Sequence, residues 1–91
     1  MSSEQAAPTF PDRATRKRCW AARDAYFKCL DQQQVIDPGT KGIPSVCESV
    51  HQMFTQACPQ VWAEYFVTKR VMEDRQRQLQ ERMQNPQYTR P

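Results

Sequence analysis

Apolar positions recur along this chain at the interval of an α-helix, in three successive stretches. In the segment RKRCWAARDAYFKCLD, Cys19, Ala22, Tyr26, Cys29 and Leu30 fall at i, i+3, i+7, i+10 and i+11, the spacing of one buried helical face. Trp20 and Phe27 widen that face. Three alanines and the absence of Gly and Pro favour helix over this stretch, with Asp12 or Thr15 as the cap and an end near Asp31. Val46, Cys47, Val50, Met53, Phe54, Ala57 and Cys58 form a second stripe. Ser45-x-x-Glu48, after Pro44, predicts a capping box at its start. Pro59 makes Cys58 a helix boundary and suits the first turn of a third helix. That helix carries Val61, Trp62, Tyr65, Phe66 and Met72 on one side, fades into the polar run EDRQRQLQERMQ, and ends before Pro86.

Between the first two helices, residues 32–44 read as a loop, with turn signals at Asp37-Pro38-Gly39 and Gly42-Ile43-Pro44. No stretch alternates with the period of a strand. The fold class is therefore all-α: an antiparallel helical hairpin followed by a third helix. Tyr26, Phe27, Phe54, Trp62 and Phe66 are expected in the core. Trp20 is expected in the core or on a partner-binding surface, and His51 on the surface.

Size decides what else the fold needs. Ninety-one residues, 38% of them hydrophobic, make one domain with little apolar surface to bury. Residues 1–14 and 85–91 are polar and proline-bearing and are predicted to be disordered tails, leaving a domain over residues 15–84. A chain of this kind calls for a covalent staple, and Cys19, Cys29, Cys47 and Cys58 supply the sulfurs.

Spacing selects the pairing. Shifts of ten and eleven residues keep each pair of cysteines on one broad helical face, about 15 and 16.5 Å apart along the axis. Pairing Cys19 with Cys29, and Cys47 with Cys58, would span three turns within one helix, far beyond the roughly 4.4–6.8 Å that a disulfide tolerates between Cα atoms. Pairing Cys19 with Cys47 requires parallel helices, which a short loop does not give. Antiparallel helices put Cys29 beside Cys47 near the loop and Cys19 beside Cys58 at the open end, nearer solvent. Each bridge is worth about 3 kcal/mol in the chain-entropy treatment. A zinc site has less support: the cysteine pairs are too widely spaced, and Cys47-x-x-x-His51 makes only half of one.

Net charge is +3. Arg13, Arg16, Lys17 and Arg18 cluster ahead of the first cysteine. The other basic run, in the last third, is interrupted by Glu64, Glu73, Asp74 and Glu81, which argues against nucleic-acid binding. No apolar run is long enough to span a membrane. The N-terminus lacks the apolar stretch of a secretory signal, and Glu4, Pro8, Pro11 and Asp12 break any basic presequence helix. An oxidised framework is thus expected without the usual address of an oxidising compartment.

The twin spacing, CX9C followed by CX10C, resembles the twin-cysteine (CHCH-like) helical hairpins of the mitochondrial intermembrane space. CWAARDAYFKCLD (Cys19 to Asp31) and CPQVWAEYFVTKR (Cys58 to Arg70) are similar to the cytochrome c oxidase assembly factor 6 family, over roughly residues 16–72. The resemblance implies import without a presequence and oxidation by the intermembrane-space disulfide relay. It also implies a part in delivering copper to the dinuclear site of oxidase subunit 2, alongside Sco-type copper chaperones. Family members are described as thiol-disulfide reductants of those chaperones or as copper(I) binders. Cys19 and Cys58 are then the candidate redox pair, and all four cysteines candidate copper(I) ligands, because soft thiolates suit that ion. Lys17 and Arg18 would favour a thiolate at Cys19. Trp20, Arg23 and Asp24 also match and are the candidate partner-binding residues. Arg23 and Asp24 are neighbours on a helix and are expected to point apart.

One histidine, no Gly-rich phosphate loop and no catalytic constellation leave other enzyme chemistry without parts. A thiol-disulfide reductase would run on the cysteines alone. Two further readings remain: a structural component of the oxidase like subunit VIb, and a redox-inert scaffold binding chaperone and subunit 2. An exposed Trp or Phe would also allow a homodimer.

Overall fold

The computed structural model describes residues 12–84. Residues 1–11 and 85–91, most of the two predicted tails, lie outside the described residues. Four α-helices follow in order: α1 (Arg13–Gln32), α2 (Pro38–Lys41), α3 (Glu48–Ala57) and α4 (Gln60–Gln84), with a 3₁₀ turn at Ser45–Cys47. Among the described residues there is no strand.

Asp12 is the cap of α1: its side chain accepts from the Thr15 N–H at 2.8 Å. The helix therefore begins at Arg13, inside the stretch assigned to the tail. That same backbone donor, foremost, holds the Asp12 carboxyl below its ordinary value. Cys19, Ala22, Tyr26 and Leu30 are the buried residues of α1. At the far end Gln34 takes the left-handed conformation (φ 59°), so that Val35 N–H reaches the Leu30 carbonyl at 2.9 Å and Gln34 N–H that of Asp31 at 3.0 Å. This is a Schellman cap with glutamine where glycine is usual.

The connection holds one helical turn, α2, where the sequence suggested only turns. Pro38 opens it, and the Asp37 carboxylate caps it, accepting from Gly39 N–H and the Thr40 hydroxyl at 3.0 and 2.9 Å. Gly42 leaves it at φ 86°, a conformation that costs glycine nothing. The predicted capping box is not made, because the chain enters α3 through a 3₁₀ turn. Ser45 lies inside that turn, Cys47 N–H bonds to the Pro44 carbonyl at 2.8 Å, and neither end has a side-chain cap.

α1 and α3 form the antiparallel hairpin, closed by Cys19–Cys58 and Cys29–Cys47 with Cα separations of 4.7 and 5.8 Å. The core lies between them: Cys19, Ala22, Tyr26, Leu30, Cys47, Phe54 and Cys58. Tyr26 and Phe54 stack with centroids 5.1 Å apart, and Phe27 meets Phe54 at 5.8 Å. His51 is half-buried rather than a plain surface residue, its ring 5.1 Å from Tyr26. The α3 stripe is narrower than its pattern suggested: Val46 and Met53 are exposed.

Cys58 is extended (φ −110°, ψ 139°), as expected before Pro59, and there the chain turns into α4. α4 buries no residue completely. Trp62, Ala63, Phe66 and Val67 pack half-buried against the core, whereas Val61, Tyr65 and Met72 are exposed. One helix with a single neighbour covers only a narrow stripe. Beyond Met72, α4 is held by its own ion pairs: Lys69–Glu73, Arg77–Asp74 and Arg77–Glu81. The molecule is elongated, 62 × 28 × 20 Å.

Candidate functional site

The four cysteines form two separate bridges. Their burial is the reverse of what their position along the hairpin suggests. Cys19 is 0% and Cys58 5% exposed at the open end, and Trp62, Ala63 and Phe66 of α4 pack against the core cluster that contains both. In the other bridge Cys47 is sealed, but Cys29 is only half-buried beneath the 3₁₀ turn. By residue exposure, Cys29 is the cysteine most open to solvent of the four. While both bridges are closed none of the four sulfurs is a thiolate, so a copper(I) cargo requires reduction first. Reduction would leave two pairs of donors rather than one four-sulfur cluster. Among the described residues no group of three or more metal-ligating side chains is assembled.

Trp20, Arg23 and Asp24 come together on the outer face of α1. Trp20 is 46% exposed, so it is a surface residue and not core. The Arg23 guanidinium lies 5.9 Å from the Trp20 ring centroid and 4.8 Å from that of Phe66 on α4. Contrary to the expectation that neighbours point apart, Arg23 Nη2 pairs with Asp24 Oδ1 at 2.9 Å, and its Nε donates to the same oxygen at 3.0 Å. The long arginine side chain curls back along the helix, which a rule based on Cβ directions does not anticipate. The result is an exposed cation–aromatic platform spanning α1 and α4.

Arg70 builds the neighbouring wall, and sequence reasoning missed it. Its guanidinium donates to Asp31 Oδ1 at 2.7 Å and to the carbonyls of Val35 and Ile36 at 2.8 and 3.0 Å, and lies 4.9 Å from the Phe27 centroid. The available signal was spacing: Trp62, Phe66 and Arg70 recur every four residues, on the α4 face that meets the hairpin. Between platform and wall runs an open groove of about 620 Å³, floored by Phe27 and Phe66 and edged by Arg23, Asp31, Lys69 and Arg70. Its charged lining is largely paired: Asp31 with Arg70, Glu73 with Lys69, and Asp74 with Arg77.

Residues 8–81 match the family described as cytochrome oxidase c subunit VIb. The cytochrome c oxidase assembly factor 6 of Saccharomyces cerevisiae is 36% identical over 76 residues, covering 79% of this chain and 73% of that protein. The homolog of that factor in Bos taurus is 38% identical over 65 residues, covering 71% and 70%. The Homo sapiens homolog is 35% identical over 60 residues, covering 66% of this chain and 42% of its own length. No solved structure matches.

Proposed function

This chain belongs to the cytochrome oxidase c subunit VIb family, and from that premise we propose that it is a mitochondrial assembly factor for cytochrome c oxidase. The observation that carries the reading is its likeness, across most of its length, to proteins named for that assembly. In the finer form of the proposal it works in the intermembrane space, assisting copper delivery to the dinuclear site of subunit 2 together with Sco-type chaperones. The Trp20–Arg23–Asp24 platform is its docking surface, with Phe66 completing it from α4.

The sealed Cys19–Cys58 bridge supports a structural role for that pair and moves any thiol exchange to Cys29–Cys47. Reduction by a dithiol of the compartment, which leaves as its own disulfide, would open that bridge to two thiols. Closing it again would return two electrons and two protons to a chaperone disulfide. The same two thiolates would suit a copper(I) ion.

The test is depletion of the protein from cells, with assembled oxidase read on native gels and re-expression of variants. The reading expects loss of assembled oxidase, restored by the wild-type chain and not by Arg23→Glu or Trp20→Ala. Unchanged oxidase would overturn it. Co-purification with the mature enzyme at one copy per complex would favour the second reading, a resident subunit, which the family's own description keeps in play.

A further inference from the structure

The basic cluster ahead of the first cysteine plays no part in the platform or the bridges. Arg13, Arg16, Lys17 and Trp20 stand at i, i+3, i+4 and i+7 of α1 and so share one face. All four are exposed, and together they line a shallow, mostly apolar depression of about 530 Å³, formed by the indole and the cation stems. Arg18 lies about 140° round the helix from Arg13, off this face. Among the described residues, none of its three cations, Arg13, Arg16 and Lys17, forms an ion pair. Asp12, which caps the helix, offsets part of this charge, its carboxyl lowered by the Thr15 hydrogen bonds and also by Arg18 and Arg16, and the next acid along the chain, Asp24, is held by Arg23. The face therefore presents net positive charge around a large amphipathic ring.

We propose that this face of α1 docks the protein on an anionic phospholipid surface, with Trp20 at the headgroup level and Arg13, Arg16 and Lys17 against lipid phosphates. Three properties favour a lipid surface. The face is only about 10 Å long, too short to track a nucleic-acid backbone. It combines cations with a tryptophan, the side chain that partitions to the boundary between headgroups and acyl chains. Its cations have long apolar stems that can lie along the headgroup boundary while their charges reach the phosphates. No described helix is long and apolar enough to cross a membrane, so contact of this kind would be peripheral and reversible. Trp20 is shared with the proposed partner platform, but the basic residues are not, and this separates the two ideas experimentally.

The test uses the full-length oxidised chain with vesicles and no partner protein. The chain has two tryptophans, so Trp62→Phe leaves Trp20 as sole fluorescent reporter. Vesicles of phosphatidylcholine mixed with phosphatidylglycerol are expected to bind the protein in flotation and to shift Trp20 emission to the blue. Phosphatidylcholine alone is expected to do neither, and high salt to reverse both. Each cation lost from a membrane contact weakens binding about fivefold. Replacing Arg13, Arg16 and Lys17 by Gln should therefore lower partitioning about a hundredfold while circular dichroism stays unchanged. Removing equal charge elsewhere, by Lys41→Gln, Arg75→Gln and Arg82→Gln, should leave most of it. Absence of binding to anionic vesicles would overturn the proposal and leave the face to an acidic protein. So would an equal loss in the two triple variants, which would show only the pull of net charge.

Discussion

Arg70 of α4 reaches across 39 residues of chain to place its guanidinium 2.7 Å from the Asp31 carboxylate of α1. The contact has unequal ends. The arginine side chain is 11% exposed and also serves two backbone carbonyls, whereas the aspartate is 63% exposed. Removing the arginine strands the Val35 and Ile36 carbonyls and uncovers Phe27; removing the aspartate charge strands nothing.

Arg70→Ala is therefore expected to lower unfolding free energy by about 2 kcal/mol, and Asp31→Asn by less than about 1 kcal/mol. Denaturant titration of the oxidised protein measures both. Equal losses would mean that the ion pair itself, and not the carbonyl bonds, fastens α4 to the hairpin. Because the groove has Arg70 as one wall, Arg70→Ala should also weaken any ligand of the Arg23 platform.

Gln34 offers a gain. A non-glycine residue in the left-handed region carries about 1–3 kcal/mol of strain, and glycine there forfeits about 0.5–1 kcal/mol of unfolded-state entropy. Gln34→Gly is expected to raise stability by about 0.5–1 kcal/mol, several degrees in melting temperature for a domain of this size. Gln34→Ala keeps the Cβ and should show no gain. Thermal melts of the three proteins decide it.

The hairpin and its pairing were legible because both follow from periodicity. Cys19, Ala22, Tyr26 and Leu30 share a face by spacing alone, and antiparallel order leaves one arrangement of bridges. Coverage was not legible. Periodicity places Val61, Tyr65 and Met72 near one side of α4, but how much of a face is covered depends on how many elements pack on it, and α4 meets only the hairpin. The Arg23–Asp24 pair and the Arg70 anchor escaped for another reason: long side chains choose partners by reach. The packing of α4 against the core that contains Cys19 and Cys58 depended on the chain turning at Pro59, which the proline signalled without giving a direction.

Tyr26 supplies a pH dependence. Burial pushes its phenol above the ordinary value of 10.0, with the Arg70 charge pulling weakly the other way. The folded state thus holds the proton more tightly than the unfolded chain does. That stability is fully present below about pH 10 and is lost as pH rises through the folded-state value. Brief denaturant titrations across the alkaline range should show wild type weakening there and Tyr26→Phe weakening less. Near neutral pH the substitution conserves volume and should cost less than about 1.5 kcal/mol. Identical alkaline profiles would mean that Tyr26 ionises without penalty.

The two bridges should separate in both stability and reactivity. Cys19–Cys58 closes a separation of 39 residues and Cys29–Cys47 one of 18. In the chain-entropy treatment the longer loop is worth about 4 kcal/mol and the shorter about 3 kcal/mol. Replacing both cysteines of a pair by alanine is therefore expected to lower the melting temperature in each case, and more for Cys19 and Cys58. Reactivity runs the same way. Cys29 is half-buried whereas Cys19 and Cys58 are buried in the core against which α4 packs, so a reductant is expected to reach the Cys29–Cys47 bridge with less opening of the fold. Under limiting reductant, with alkylation of the thiols formed and mass spectrometry of the peptides, Cys29 and Cys47 should be labelled first, while circular dichroism still reports helix. Arg70→Ala, by loosening α4, should speed labelling of Cys19 and Cys58 while leaving that of Cys29 nearly unchanged. Earlier labelling of Cys19 and Cys58 in the wild-type protein would return the reactive role to the open end and show that α4 departs readily from it.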